Sequence, residues 1–332
     1  MTPPDVSAVV CTYDRPELLR RALASLLTQT LAPERFEIVV VDNGPDAAVA
    51  SVVERLGRDV GSPPVVVVRE SSVGSGHARN AGVAASQGRY VAFIDDDATA
   101  APDWLQQALE DFESIEPTPV AVGGPVETIF DVPPPSWFRE EWERRSHGTE
   151  PRFLRRGEVF SGSNMIVARR TVIECGGFDV SVGMRGLTIG TAEETELFHA
   201  IWRADPDAHL YYDPALRVAH PVAPYKLSAR YQLKREFADG QSRERARRRS
   251  RRESLSSLPR YVAALVRSVA LALVSVPSHR VAKVWAVEGL RDVARNLGRL
   301  HAALGFKGGV RRVVYDAPPA GSAHGEKSSR ER

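Results

Sequence analysis

Three consecutive carboxylates, Asp95, Asp96 and Asp97, close the apolar run Tyr90-Val-Ala-Phe-Ile94. Like charges this close raise one another's pKa unless a cation sits among them. Carboxylate oxygens are hard ligands suited to Mg2+ or Mn2+, ions that retain water and bridge phosphate oxygens. The triplet therefore reads as one wall of a site for a divalent metal and a phosphorylated ligand. The plain alternative is a solvated acidic turn, or the cap of a helix starting near Ala101-Pro102-Asp103-Trp104. One strand and one helix upstream lies Ser72-Val-Gly74-Ser-Gly76-His77-Ala-Arg79-Asn80-Ala-Gly82. As a dinucleotide fingerprint, Gly74-x-Gly76-x-x-Arg79 lacks its third glycine. Its glycines nevertheless let backbone approach a ligand, and Arg79 on the first helical turn aims a permanently charged fork at it. A helix cap with a surface arginine is the plain alternative here.

The surrounding elements must bring these groups together. Val6–Cys11, Glu37–Val41, Val65–Arg69 and Arg89–Ile94 read as strands, the second ending in the turn residues Asp42-Asn43-Gly44-Pro45. Between them, Pro16 to Gln29, Ala47–Leu56 and Ala78–Ser86 carry helical spacing, with Pro16 suited to a first turn. Strands alternating with helices predict a mostly parallel sheet covered on both faces. Ligands of such sheets bind beyond the carboxyl ends of the strands. Three polar strand ends, Cys11–Asp14, Asp42–Gly44 and Asp95–Asp97, are thus expected to converge.

With 332 residues, 43% hydrophobic and 26% charged, the chain has room for a large α/β domain and an appendage. A net charge of +2 names no partner. Two distant cysteines, Cys11 and Cys175, make neither a disulfide framework nor a structural zinc site, which favours a reducing compartment. The start, MTPPDVSAVV, lacks the basic and apolar regions of a secretory signal. The longest apolar stretch, Tyr261–Val276, is too short to span a bilayer and contains Arg267.

Four motifs in order resemble the family 2 glycosyltransferases of GT-A fold. They are Val6-Ser-Ala-Val-Val-Cys-Thr-Tyr13-Asp14-Arg15, then Val-Val-Val-Asp42-Asn43-Gly44, then the Ala-Arg79-Asn80-x-Gly82 segment reaching Gly88-x-Tyr90, and last the aspartate cluster. The resemblance covers about residues 5 to 235. It implies an inverting transfer from a nucleoside diphosphate sugar, with UDP the family's commonest nucleotide, to a hydroxyl of a glycan, lipid-linked or secondary-metabolite acceptor. It places Cys11, Thr12, Tyr13, Asp42 and Asn43 at the base and ribose, and Arg79 near the donor nucleotide. It makes Asp95, Asp96 and Asp97 the DXD-type element for ribose and metal (Mn2+ or Mg2+), Asp97 being the foremost ligand. Asn43 and Pro45 depart from the family's frequent Asp-Asp-Gly-Ser, which leaves the base contact open.

Further along, Phe160-Ser-Gly162-Ser-Asn164 leading to Gly176-Gly177-Phe178-Asp179 resembles the family's donor and acceptor segment, and equally fits an ordinary strand, helix and turn. Ala192-Glu193-Glu194-Thr195-Glu196-Leu197, with Arg203, resembles the acidic pair that opens a helix in inverting members, one carboxylate being the general base. A helix N-terminus favours the anion. Glu194 occupies the family's usual aspartate position, and Glu193 stays an alternative. Without that context, the acidic run would simply compensate helix charge. His220, after Tyr211-Tyr212-Asp213-Pro214, matches a histidine that aids metal or diphosphate in many GT-A enzymes, although a lone histidine is as readily structural.

Composition changes after residue 240. Seven arginines fall between Gln241 and Glu253, namely Arg243, Arg245, Arg247, Arg248, Arg249, Arg251 and Arg252. Leu255–Leu304 reads as two amphipathic helices broken near Pro277. The expected organisation is a catalytic domain at 1–235, a basic helical extension at 236–315 and a disordered tail at 316–332. The arginines suit a solvated helix face, a nucleic-acid patch or an anionic-lipid anchor. The adjoining amphipathic segments favour lipid, hence a cytoplasmic protein peripheral to the inner membrane face. A helical bracket packed on the catalytic domain is the bland counterpart. Two other functions fit parts of the pattern. A nucleotide-sugar-forming nucleotidyltransferase would need a glycine-rich loop where Cys11-Thr-Tyr-Asp-Arg15 stands. A membrane or nucleic-acid adaptor would need neither acidic cluster.

Overall fold

The β-branched runs become the centre of the sheet because both of their faces are covered. Val6–Thr12 (β1), Phe36–Asp42 (β2) and Tyr90–Asp95 (β4) are buried almost throughout. The computed structural model describes residues 3–45, 48–56, 61–186, 188–246, 253, 256–274, 281–306 and 308–311. Strands β1, β2, Val65–Arg69 (β3) and β4 are mutually parallel. Met165–Ala168 (β9) then joins antiparallel beside β4, followed by Ala121–Gly123 (β6), Leu210–Tyr212 (β11) and Arg152–Phe153 (β8). The eight-stranded order is β3-β2-β1-β4-β9-β6-β11-β8.

Alternating side chains separate two apolar layers. Val6, Ala8 and Val10 meet Pro16–Leu27 (α1) and Trp104–Ser114 (α4), through Leu19, Leu23, Leu26, Trp104 and Leu105. On the opposite face, Val9, Val91 and Phe93 pack with Ser75–Ala85 (α3) and Glu193–Ala204 (α6). The helix α3 lies close to the sheet at Gly82, where a Cβ would stand 2.4 Å from the Val9 side chain. Ala48–Arg55 (α2) and Arg169–Glu174 (α5) complete the flanking layers.

A second sheet holds Thr99–Ala100 (β5), Val218–Val222 (β12) and Val126–Phe130 (β7) in that order. It hangs over the carboxyl end of β4, since β5 follows Asp95–Asp97 directly. Thr188–Ile189 (β10) pairs with Val310–Arg311 (β13).

The C-terminal helices are Ala229–Ala246 (α7), Leu258–Val274 (α8) and Val281–Ala303 (α9). The helix α7 continues unbroken through residue 235, and α9 packs along it. Their backbones touch where glycines face each other. A Cβ on Gly240 or Gly298 would lie 2.0 Å from the carbonyl oxygen of Arg295 or Phe237, respectively. Glu236 accepts hydrogen bonds from Arg291 and Arg295, and Arg291 lies 4.1 Å from the Trp142 ring centre. Of the seven clustered arginines, Arg243 pairs with Asp239 and Arg245 donates to the Gly308 carbonyl. The other five, and the segment 316–332, lie outside the described residues. No helix among the described residues is long and apolar enough to cross a membrane.

Candidate active site

The register of the central strands brings their polar ends level. Cys11 pairs with Asp95 across β1 and β4, and Thr12 with Asp42 across β1 and β2. Beyond these ends opens a cavity of about 880 Å³, lined by Cys11, Thr12, Tyr13, Asn43, Arg79 and the aspartate triplet. Glu193, Glu194 and His220 line it from other elements. Asp42 is the exception among the expected site residues. Its buried carboxylate accepts from Arg69 at 2.6 Å and from the Gly44 N–H at 3.1 Å, shaping the turn and not the cavity wall. Asn43 clasps the next loop, donating to the carbonyls of Glu70 and Ser72 and accepting from the Gly74 N–H. Burial pushes the Cys11 thiol up to about 12, so it stays protonated and unreactive at neutral pH.

The three aspartates have different partners. Asp96 is the most enclosed, accepting from Thr12 Oγ1 at 2.7 Å and Arg15 at 3.1 Å. Burial drives its pKa up to about 7, against the pull of Arg15. Asp97 meets Arg15 at 3.0 Å and His220 Nε2 at 3.1 Å. Burial opposes its charge, but the His220 hydrogen bond and charge, with Lys226 and Arg15, hold it well below the usual carboxylate range. Asp95 accepts from Ser163 Oγ and lies 3.5 Å from Arg79. One ligand atom from each of Asp95, Asp97 and His220 falls within 4.8 Å of the others. Two carboxylates and an imidazole at that separation fit a Mn2+- or Mg2+-sized ion that keeps open positions for phosphate oxygens.

A second acidic corner faces the first through Arg79, whose guanidinium is 3.2 Å from both Glu193 and Glu194. Burial works against this arginine, yet Glu194, Glu193 and Asp95 together hold it charged. Glu193 is pinned at the base of α6, accepting from Ser75 Oγ at 2.8 Å. Ser75 Oγ also accepts from the Met184 N–H. Glu194 is more open, its side chain 20% exposed against 6% for Glu193. Burial, then the adjacent Glu193, raises Glu194 to about 7, opposed by Arg79. The pair leaves no room beside it: a Cβ at Gly162 would lie 2.2 Å from both Arg79 and Glu194. Ala192, capping α6, has φ of 82°, a left-handed conformation rare for a residue with a Cβ. Asp14, in the loop after β1, has φ of 54°. Such backbone strain persists where surrounding structure imposes it, and it clusters at functional sites.

The sequence left several site residues without a role. Arg15 ends the first motif and compensates two of the three aspartates, so the charge conflict within the triplet was itself the signal for it. Ser163 fastens Asp95 from a segment whose function was left open. Lys226, Arg235 and the α7 and α9 residues that line the far wall of the cavity carry no local motif at all.

Solved structures share this architecture. A mannosyltransferase from Pyrobaculum calidifontis, solved with GDP-mannose and Mn2+, superposes with a TM-score of 0.58 at 18% identity, covering 89% of this chain and 86% of its own. GalNAc-T7, solved with UDP, GalNAc and Mn2+, gives 0.51 at 20% identity over 66% of this chain and 44% of its own. The fold is that of a GT-A glycosyltransferase. The glycosyl transferase family 2 model matches residues 7–177, and the chain belongs to that family. A glucosyl-dolichyl phosphate glucuronosyltransferase of Haloferax volcanii is 31% identical over 72% of this chain and 76% of its own length. The succinoglycan biosynthesis protein ExoM of Rhizobium meliloti is 30% identical over 71% of this chain and 73% of its own. The protein is therefore a glycosyltransferase.

Proposed function

We propose that the protein is an inverting, metal-dependent transferase that moves a sugar from a nucleoside diphosphate donor, UDP first among candidates, to an acceptor hydroxyl. The observation that carries this is the presence of two acidic corners in one cavity, Asp95–Asp97–His220 and Glu193–Glu194, joined through Arg79. Thr12, Tyr13 and Asn43 border the place for the nucleoside, with Asp42 and Asn43 setting the turn. Asp95, Asp97 and His220 would hold the divalent ion, which supplies Lewis-acid stabilisation of the departing diphosphate. Glu194, on the far side of the Arg79 guanidinium from Asp95, serves as base. The acceptor oxygen forms its bond to the anomeric carbon as the carbon–phosphate-oxygen bond breaks, and the hydroxyl proton passes to Glu194. Glu193, fixed by Ser75 and Arg79, positions it. One displacement inverts the anomeric centre. A double displacement of the retaining kind needs a carboxylate placed to attack that carbon. Here Glu193 is held by Ser75 at 2.8 Å and by Arg79 at 3.2 Å, and Glu194 by Arg79 at 3.2 Å.

Several family relatives are named for polysaccharide or lipid-linked assembly, which supports a glycan or lipid-linked acceptor for this chain. Contact with an anionic inner membrane face fits the exposed Val262, Val266 and Val269 on α8, spaced along one side with Arg267 between them. Flotation with phosphatidylglycerol-containing vesicles is expected, with loss on Val266→Asp. A protein that stays at the bottom of the gradient is not a membrane-surface enzyme by this route.

The donor reading is tested by calorimetry with UDP, GDP, dTDP and CDP, each with Mn2+, Mg2+ or EDTA. One nucleotide should bind at least 10-fold more tightly with metal. No binding of any nucleotide under any condition overturns the proposal.

A further inference from the structure

The cavity continues past the metal corner to a wall whose charges the donor reading does not use. This wall is built by residues 143–147, Tyr225–Lys226, and α7 with α9. Three of its cations are paired with carboxylates. Arg235 pairs with Glu143, Arg243 with Asp239, and Arg295 with Glu236. Arg144, Arg145 and Lys226 form no ion pair with any described carboxylate within 4.0 Å. Lys226 belongs to the metal corner, since it is one of the charges that hold Asp97 ionised.

Arg145 is different. Among the described residues, its guanidinium donates only to the backbone carbonyls of Trp142 and Arg144, at 3.2 and 3.3 Å. Arg145 is exposed to solvent, with Arg235 beside it on the same Trp142 carbonyl at 3.4 Å and Glu143 and Glu194 within electrostatic range. Two guanidiniums therefore share the Trp142 carbonyl, and Glu143 beside them makes its contacts to Arg235 and Gln232. The backbone places this region. Arg145 bridges to Val126 of β7, Val126 pairs with Val218 of β12, and His220 lies two residues further along β12, opposite Thr128. Two strand spacings of about 4.8 Å and, at right angles, two residues of about 3.3 Å set the Arg145 backbone roughly 12 Å from that of His220 in a straight line. It thus lines the same cavity as the metal corner and lies within electrostatic reach of Glu194.

We propose that Arg145, with Arg235 and Arg144, forms an anion subsite that receives a phosphate carried by the acceptor. This rests on the glycosyl-transfer reading and names the acceptor's chemical class: a sugar linked through phosphate, presented with its hydroxyl toward Glu194. Phosphate suits the geometry because even a diester's two unbridged oxygens diverge tetrahedrally and can each accept from a different guanidinium. A carboxylate's two oxygens are consumed by one bidentate fork. An anion here also relieves the repulsion between Arg145 and Arg235. It would hold the acceptor by its phosphate and leave the sugar ring between the two acidic corners.

The test uses the full chain saturated with its nucleotide and Mn2+, titrated with n-octyl phosphate, inorganic phosphate and n-octyl glucoside. The nucleotide titration is read first, so a failed donor reading shows itself separately. The same phosphate titrations are also run on nucleotide-free protein. Octyl phosphate should bind and octyl glucoside should not. Arg145→Ala should weaken octyl phosphate at least 10-fold with nucleotide affinity unchanged, and Arg145→Lys should recover part of the loss. Tighter binding of octyl phosphate than of inorganic phosphate assigns a lipid-borne phosphate, and equal binding a soluble one. Absence of phosphate binding to either form, binding indifferent to Arg145→Ala, or a loss of nucleotide affinity in that variant overturns the subsite.

Discussion

Glu194→Gln is expected to lower kcat by about 10²–10⁴-fold, the usual contribution of a positioned general base, while leaving nucleotide affinity within a factor of two. The amide keeps the shape and the hydrogen-bond reach to Arg79 but cannot take the acceptor's proton. The native enzyme should lose kcat/KM as pH falls below about 7, because burial and Glu193 have raised the Glu194 pKa to about 7. The same shift predicts a stability change of definite sign. A carboxyl whose folded pKa exceeds its ordinary 4.5 favours the fold when protonated, and that contribution is lost as pH rises through about 7. At pH 8 the native protein carries the full cost of a buried carboxylate. Glu194→Gln should then be more stable than native by roughly 1–3 kcal/mol, the advantage shrinking toward pH 5. Transfer assays and thermal melts at the two pH values decide it. A Glu194→Gln enzyme within 10-fold of native activity, beside an inactive Glu193→Gln, would exchange the roles of the two acids.

Asp97→Asn should reduce transfer by about 10³-fold or more, since the metal's stabilisation of the leaving group is worth several kcal/mol. Its diagnostic is the metal response. In EDTA the variant and native protein should bind nucleotide equally. With Mn2+ only the native protein should gain affinity. The substitution keeps the volume and leaves Arg15 paired to Asp96, so the fold should persist, which a circular dichroism melt checks. Undiminished Mn2+ enhancement in Asp97→Asn would remove this residue from the ligand set and leave Asp95 and His220 to be tested in its place.

Local pattern was enough for the first hundred residues. Apolar β-branched runs of five to seven residues, separated by helices of 3.6-residue spacing, can bury themselves only as parallel strands under helices. Their carboxyl ends then share an edge, so Cys11, Thr12, Asn43 and Asp95–Asp97 had to meet. Even the demand of the aspartate triplet for positive charge was legible, although its first answer is Arg15.

Tertiary structure decided the rest, because the remaining contacts join residues with no local relation. Arg79 reaches Glu193 and Glu194 across more than a hundred positions, and Ser163 reaches Asp95 only once β9 has entered the sheet antiparallel beside β4. That short strand has no periodicity to announce its partner or direction. The C-terminal helices show the same limit. Their amphipathic stripes say that one face is covered but not by what. The close approach of Gly240 to Arg295 and of Gly298 to Phe237, with the burial of Glu236 between two arginines, turned α7 and α9 into a wall of the cavity. A sequence states which side chains need partners. Only the packed chain, by bringing distant segments within hydrogen-bond range, settles which partner each one meets.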